Sequence, residues 1–194
     1  MKLKKKINVI AVLGPDGSGK TFFINYLIKK LKIKNIIVKR IHLKPSLFKS
    51  NITNVSNPHS KKTRNVIFSI LKLLYWLQIY YLFSLLKYFQ KNKKIYIFDR
   101  YVHDILVDPL RYRVELNFVI KFLINFFPKP DIWLFMNPKI KTIWSRKQEI
   151  KYDTLSKQLI YYKKLKKKLS NSFFISNKFD FIKILNLIKK SIKL

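Results

Sequence analysis

The sequence predicts an α/β fold: a five-stranded parallel sheet covered by helices on both faces. Three observations predict it. Short apolar, β-branched runs alternate with segments of helical periodicity along the chain. The first such run ends in a glycine-rich loop that opens directly into a helical segment. The two motifs richest in chemically committed residues both follow the carboxyl end of a predicted strand, where open parallel sheets carry their functional loops. At 194 residues the chain has the length of one domain, so residues 1–194 are expected to form a single unit.

Ile7 to Leu13 reads as the first strand, and Thr21 to Leu31 repeats apolar residues at helical spacing. Asn35 to Ile41 is a second strand, followed by a polar connection from Lys44 to Lys62 with Pro, Ser and Asn. Asn65 to Lys91 is helical, with one break allowed. Ile95 to Phe98 is a third strand that stops at Asp99, and Glu115 to Phe127 is a helix closed by Pro128 and Pro130. Asp131 to Met136 is a fourth strand. Pro138 suits the first turn of a helix running to about Ile150. Thr154 to Leu169 is a strongly basic helix, Phe173 to Ile175 a short fifth strand, and Phe179 to Ile192 a closing helix.

Composition narrows the chemistry. Cysteine is absent, which excludes a disulfide framework, a thiolate metal site and a cysteine nucleophile, and His42, His59 and His103 lack metal-ligand spacing. The formal charge of +33 invites a polyanion partner. Six of the 42 basic residues are arginine, leaving 36 lysines, and Ala11 is the only alanine; these skews suggest a coding bias as the main source of the charge. The residues the bias disfavours therefore carry the information. All three glycines lie in one loop, Asp16, Asp99, Asp104 and Asp108 fall in two short motifs, and Arg100, Arg111 and Arg113 sit in the second of these. The N-terminal Met-Lys-Leu-Lys-Lys-Lys leads into a strand rather than a signal sequence, because no small-residue cleavage site follows. Val66 to Leu86 is long enough to span a bilayer, but its tyrosines and Gln78 favour a buried central helix. A cytoplasmic setting is expected.

The loop Gly14-Pro15-Asp16-Gly17-Ser18-Gly19-Lys20-Thr21 matches G-x-x-x-x-G-K-[ST] with a strand before it and a helix after it, the context of a P-loop. Glycines let backbone N–H groups approach phosphate closely, and the helix N-terminus adds its positive dipole end. On this reading the eight residues bind ATP, Lys20 reaches the β- and γ-phosphates, and the Thr21 hydroxyl ligates Mg²⁺. Asp99-Arg100-Tyr101 directly follows the third strand. A carboxylate there can hold Mg²⁺ or accept a proton, and Arg100 offers a planar fork for phosphoryl groups.

These two motifs together resemble the thymidylate kinase family of P-loop nucleoside monophosphate kinases, and most of the chain follows that family's order of elements. The resemblance implies the P-loop NTPase fold, transfer of the γ-phosphoryl group of ATP under Mg²⁺ to a small-molecule acceptor such as dTMP, and a mobile lid, here short, at about residues 143–156. It implies that Asp16 approaches the acceptor's sugar, that Asp99 and Arg100 stand at the acceptor phosphate, and that Arg146, where the lid opens, clamps the transferring group. It further implies a homodimer packed through central helices, with the aromatic segment from Leu74 to Phe89 as the surface.

The chain departs from the family pattern at two places. Arg40-Ile41-His42-Leu43-Lys44-Pro45 stands where the family has Arg-Glu-Pro and a Gly-Gly turn, and Val102 to Arg113 replaces the segment used around the acceptor nucleotide. His103 and Asp104 are thus candidate acceptor-binding residues, with His103 a general base poised by a carboxylate, or else members of a capped turn. Their text, with Asp108-Pro109-Leu110-Arg111-Tyr112-Arg113, is similar to that of thymidylate kinase-like proteins associated with surface-polysaccharide genes. Two further readings therefore stand beside the nucleotide kinase: a kinase of the same fold acting on a sugar or other hydroxyl, and a membrane-peripheral or polyanion-binding nucleotide switch. A nucleic-acid partner is not expected, since no nucleic-acid module is recognisable.

Overall fold

The computed structural model describes residues 7–43, 63–89, 94–146 and 151–192. The described residues divide into two compact units, one within Met1–Ile41, Asn92–Arg100 and Pro130–Leu194, the other within His42–Lys91 and Tyr101–Lys129. The expected polar connection from Lys44 to Lys62 and the middle of the expected lid, residues 147–150, lie outside the described residues.

The first unit carries the sheet. Its strands are β1 (Val9–Leu13), β2 (Ile37–His42), β3 (Lys94–Asp99), β4 (Ile132–Met136) and β5 (Ser172–Ile175), in the order β2-β3-β1-β4-β5. β1 pairs in parallel with β3 through Val12↔Asp99 and with β4 through Val12↔Leu134, and β4 pairs in parallel with β5. Every residue of β1 and of β4 is buried, as continuous apolar runs covered on both faces should be. The Asp131 carboxylate accepts the Asn8 and Val9 amides, each at 2.8 Å, and ties the head of β1 to β4. β2, at an edge, buries only Ile41 fully and keeps Lys39 and Arg40 exposed.

Helix α1 (Lys20–Lys32) turns Phe23, Ile24, Leu27 and Leu31 inward at three- and four-residue spacing. They meet Ile184, Leu185 and Ile188 of the last helix, Lys178–Ile192, in the main core cluster. Phe181 of that helix lies 4.6 Å from Phe23 between ring centres. The expected helix after Pro138 is described as Ile140–Arg146, and the basic helix as Tyr152–Lys168. Trp144 and Tyr152, one on each, meet edge to face at 5.7 Å.

The second unit is built on α2 (Val66–Phe89), followed in the chain by a short 3-10 helix, Val102–Leu106, and α3 (Phe118–Ile124). The α2 helix is unbroken. Tyr80 is its anchor: its ring packs on Tyr101 at 4.9 Å and Phe127 at 5.3 Å, and its hydroxyl donates to the Leu43 carbonyl. α3 is shorter than the expected Glu115 to Phe127. The Asn117 side chain caps it by accepting the Ile120 amide at 2.9 Å, which starts the helix three residues later than apolar spacing suggested.

One expectation is corrected. α2 is not a buried central helix: Ser69, Leu73, Trp76, Ile79 and Tyr80 face inward, but Ile67, Leu71, Tyr75, Leu82 and Leu85 on the opposite side are exposed. Apolar residues occupy its whole circumference, so periodicity could not say which stripe is covered. Among the described residues it is the one helix long and apolar enough to cross a membrane, and 28% of its most apolar stretch is buried.

Candidate phosphoryl-transfer site

The glycine loop leaves the end of β1 at the point where the chain has strands on both sides of it, β3 to one side and β4 to the other. This is the topological switch point of the sheet, where a crevice opens at the carboxyl ends of the strands. Gly14, Gly17 and Gly19 all have positive φ, at 148°, 76° and 90°. At Gly14 a β-carbon would stand 2.9 Å from Met136 Cβ and 3.0 Å from Ser18 Oγ, so the loop is packed tightly against the end of β4.

Lys20 is 7% exposed, and its ammonium curls back over the loop. It donates to the carbonyls of Gly14 at 2.8 Å and Pro15 at 2.7 Å, with the Asp16 carboxylate 3.8 Å away. The Ser18 hydroxyl is buried and has no hydrogen-bond partner among the described residues. A phosphate oxygen in the loop would supply one. The Arg146 guanidinium lies beside the loop, 3.8 Å from where a β-carbon on Gly19 would stand.

Asp99 ends β3 level with Val12 of β1 and is 4% exposed. The next residue, Arg100, has a left-handed backbone at φ 77°, with its amide donating to the Val12 carbonyl at 3.0 Å. A non-glycine residue held there is uncommon and costs free energy, and such conformations gather at functional sites. The turn directs the buried Arg100 guanidinium onto the Asp16 carboxylate, where they form an ion pair. Thus Asp16, Lys20, Arg100 and Arg146 converge around the loop.

Arg40 was missed as a site residue by sequence reasoning. It reaches from β2 to hold the Asp99 carboxylate in an ion pair and lies 3.5 Å from Asn25 Oδ1. Its scarcity was the available signal, as one of six arginines in a chain that otherwise uses lysine.

The donor set fits magnesium only together with a nucleotide. The described residues contain no group of three or more His, Cys, Asp or Glu side chains able to hold a metal. What they offer is the exposed Thr21 hydroxyl in the first turn of α1 and the Asp99 carboxylate at the end of β3. Both are hard oxygen donors, and Mg²⁺ completes its shell with water and substrate phosphates.

His103 and Asp104 belong to the second unit, in the 3-10 helix, and both are buried. Asp104 accepts the Tyr112 hydroxyl at 3.3 Å, and the His103 ring lies 5.9 Å from that of Tyr101. Burial, assisted by the nearby Lys129 charge, lowers the His103 pKa to about 4. The folded value lies below the unfolded one of about 6.5, so the unfolded chain takes the proton first and stability falls as the pH drops from about 6.5 toward 4. The expected loss approaches roughly 3 kcal/mol. Thermal midpoints compared between the wild type and His103→Gln should diverge across that window, and parallel profiles would refute the assignment.

A family model for thymidylate kinase matches residues 12–190. A search of the curated proteins found no match. Among solved structures, deoxyadenosine kinase from M. mycoides with bound dATP is 20% identical at a TM-score of 0.54, covering 96% of this chain and all of that one. Thymidylate kinase from Candida albicans is 16% identical at a TM-score of 0.59, covering 97% of this chain and 92% of that one. These likenesses carry the fold, and the family match over nearly the whole length carries the rest. With a glycine loop at the switch point of a β2-β3-β1-β4-β5 sheet and a match from Val12 to Lys190, the chain belongs to the thymidylate kinase family and is an ATP-dependent nucleotide kinase.

Proposed function

We propose that the protein transfers the γ-phosphoryl group of ATP, with Mg²⁺, to a nucleoside monophosphate such as dTMP. The observation that carries this reading is Arg100, buried, held in a left-handed turn at the end of β3, and pointed at Asp16 of the loop. A guanidinium fixed in this way suits a second phosphate facing the loop. On this reading Lys20 exchanges the loop carbonyls for the β- and γ-phosphates. Thr21 and Asp99 hold Mg²⁺, with Arg40 steadying the Asp99 carboxylate. Arg100 takes the acceptor's phosphate, Asp16 turns to its sugar, and Arg146 closes over the transferred group.

An oxygen of the acceptor's phosphate attacks the γ-phosphorus as the bond to the β,γ-bridging oxygen breaks, releasing ADP. Mg²⁺ held by Thr21 and Asp99 would supply charge neutralisation to the phosphates. The protein's own part is positioning and charge stabilisation.

Purified protein offered dTMP, other nucleoside monophosphates, deoxynucleosides and sugars, with ADP release as readout, tests the proposal. Turnover of a monophosphate is expected. Arg100→Gln should raise the KM for that acceptor by about tenfold or more and leave the KM for ATP close to its original value. Turnover of sugars or deoxynucleosides with none of any monophosphate would overturn the reading.

A further inference from the structure

Thr21 and Asn25 stand four residues apart on α1, neighbours on one face of the helix. Arg40 of β2 reaches both this helix and the end of β3. One of its guanidinium nitrogens lies 3.5 Å from Asn25 Oδ1, and the other is paired with Asp99 Oδ2. Arg40 thus bridges the two elements that carry Thr21 and Asp99. We propose that Arg40 is a positioning residue that sets the metal preference of the site, favouring Mg²⁺ over Ca²⁺ by limiting Asp99 to one oxygen for the metal. This rests on the reading above that Thr21 and Asp99 receive the cation.

Asp99 is 4% exposed, and a buried carboxylate needs a partner. Lysine, the chain's usual basic residue and the one at the neighbouring Lys39, would supply the charge as a point that swivels. A guanidinium is planar, with its donors in a fixed fork, so a contact at one nitrogen restricts the other. With Asn25 at one prong and Asp99 at the other, turning the carboxylate would pull Oδ2 off its donor. The grip on Oδ2 leaves Oδ1 to a cation.

The two cations respond differently to such a carboxylate. Mg²⁺ demands near-ideal octahedral order at about 2.0–2.1 Å, and one carboxylate oxygen serves it. Ca²⁺ sits at about 2.3–2.6 Å, takes more oxygens, and gains from a carboxylate that offers both. Holding Oδ2 on Arg40 denies Ca²⁺ that second oxygen. The charge of Arg40 weakens both cations, so the geometric part shows in the ratio of their affinities and not in either one alone.

Mn²⁺ bound to the full chain with β,γ-imido-ATP, and released by added Mg²⁺ or Ca²⁺, tests the proposal, with free Mn²⁺ read by electron paramagnetic resonance. Half-release from the wild type should need about fivefold more Ca²⁺ than Mg²⁺, and parity overturns the proposal. In Arg40→Gln that ratio should fall by about threefold or more. Arg40→Lys, which keeps the charge without the fork, should fall between the two. A change that merely loosened the fold would weaken both cations together and leave the ratio where it was. An unchanged ratio in Arg40→Gln overturns the proposal; if that variant does not fold, an unchanged ratio in Arg40→Lys does so. In an Asp99→Asn background the Arg40→Gln shift should vanish, and a shift that persists there overturns the proposal too. An unchanged ratio beside weakened Mn²⁺ binding in Asp99→Asn strikes this inference alone. Wild-type Mn²⁺ binding in Asp99→Asn removes Asp99 from the metal and takes that part of the earlier reading with it.

Discussion

Replacing Lys20 by alanine is expected to lower kcat by about 100- to 1,000-fold, the usual cost of removing one preorganised charge donor from a transfer site. The ammonium is buried and poised on two loop carbonyls, within a side chain's swing of the loop interior. Moving from neutral carbonyls to developing negative charge gains most at the transition state, so the loss should fall mainly on kcat. The fold should survive, because the freed Gly14 and Pro15 carbonyls can accept water at the crevice, and the thermal midpoint should shift by only a few degrees. A variant with kcat within threefold of the wild type would remove Lys20 from the chemistry. A variant that melts far below the wild type would show that the ammonium is structural.

The second large effect is steric. Gly14→Ala should destabilise the protein by about 3 kcal/mol and abolish ATP binding, because the added methyl meets Met136 Cβ at 2.9 Å and the φ of 148° suits glycine. Gly19→Ala is the matched control. Its φ is 90°, but the nearest atoms to an added methyl are the Arg146 guanidinium at 3.8 Å and the Met136 methyl at 3.9 Å, so only backbone strain remains, worth about 1–2 kcal/mol. Chemical denaturation of both variants separates the two causes. Equal losses would mean that contact with the end of β4 does not set the loop's shape.

The parts of the site that could be read from the sequence are those that neighbours in the chain define. The glycine loop, Lys20, Thr21 and the Asp99-Arg100 pair at a strand end each occupy a few consecutive residues, and a strand-loop-helix pattern places them. The five strands were legible for the same reason, as apolar runs closed by breakers. Arg40 was not legible as a partner of Asp99, since the contact depends on β2 lying next to β3, and periodicity does not order strands in a sheet. The 3-10 helix at Val102–Leu106 carries no periodic signature, and the Asn117 cap overrode the apolar spacing that suggested an earlier start for α3. The covered stripe of α2 was hidden by its uniform apolarity.

The ion pair between Arg100 and Asp16 has a thermodynamic consequence. With Arg100 on Asp16, that guanidinium does not wait bare for an anion; a phosphate that comes to it must take the place of a carboxylate. Binding then becomes an exchange of partners. Its free energy is the difference between two attractions and not the sum of new ones, which keeps affinity modest while geometry stays strict. The same carboxylate stands ready to reclaim its partner once the transferred group has moved on. A chain carrying a formal charge of +33 can thereby hold phosphates briefly enough to turn over, instead of trapping them.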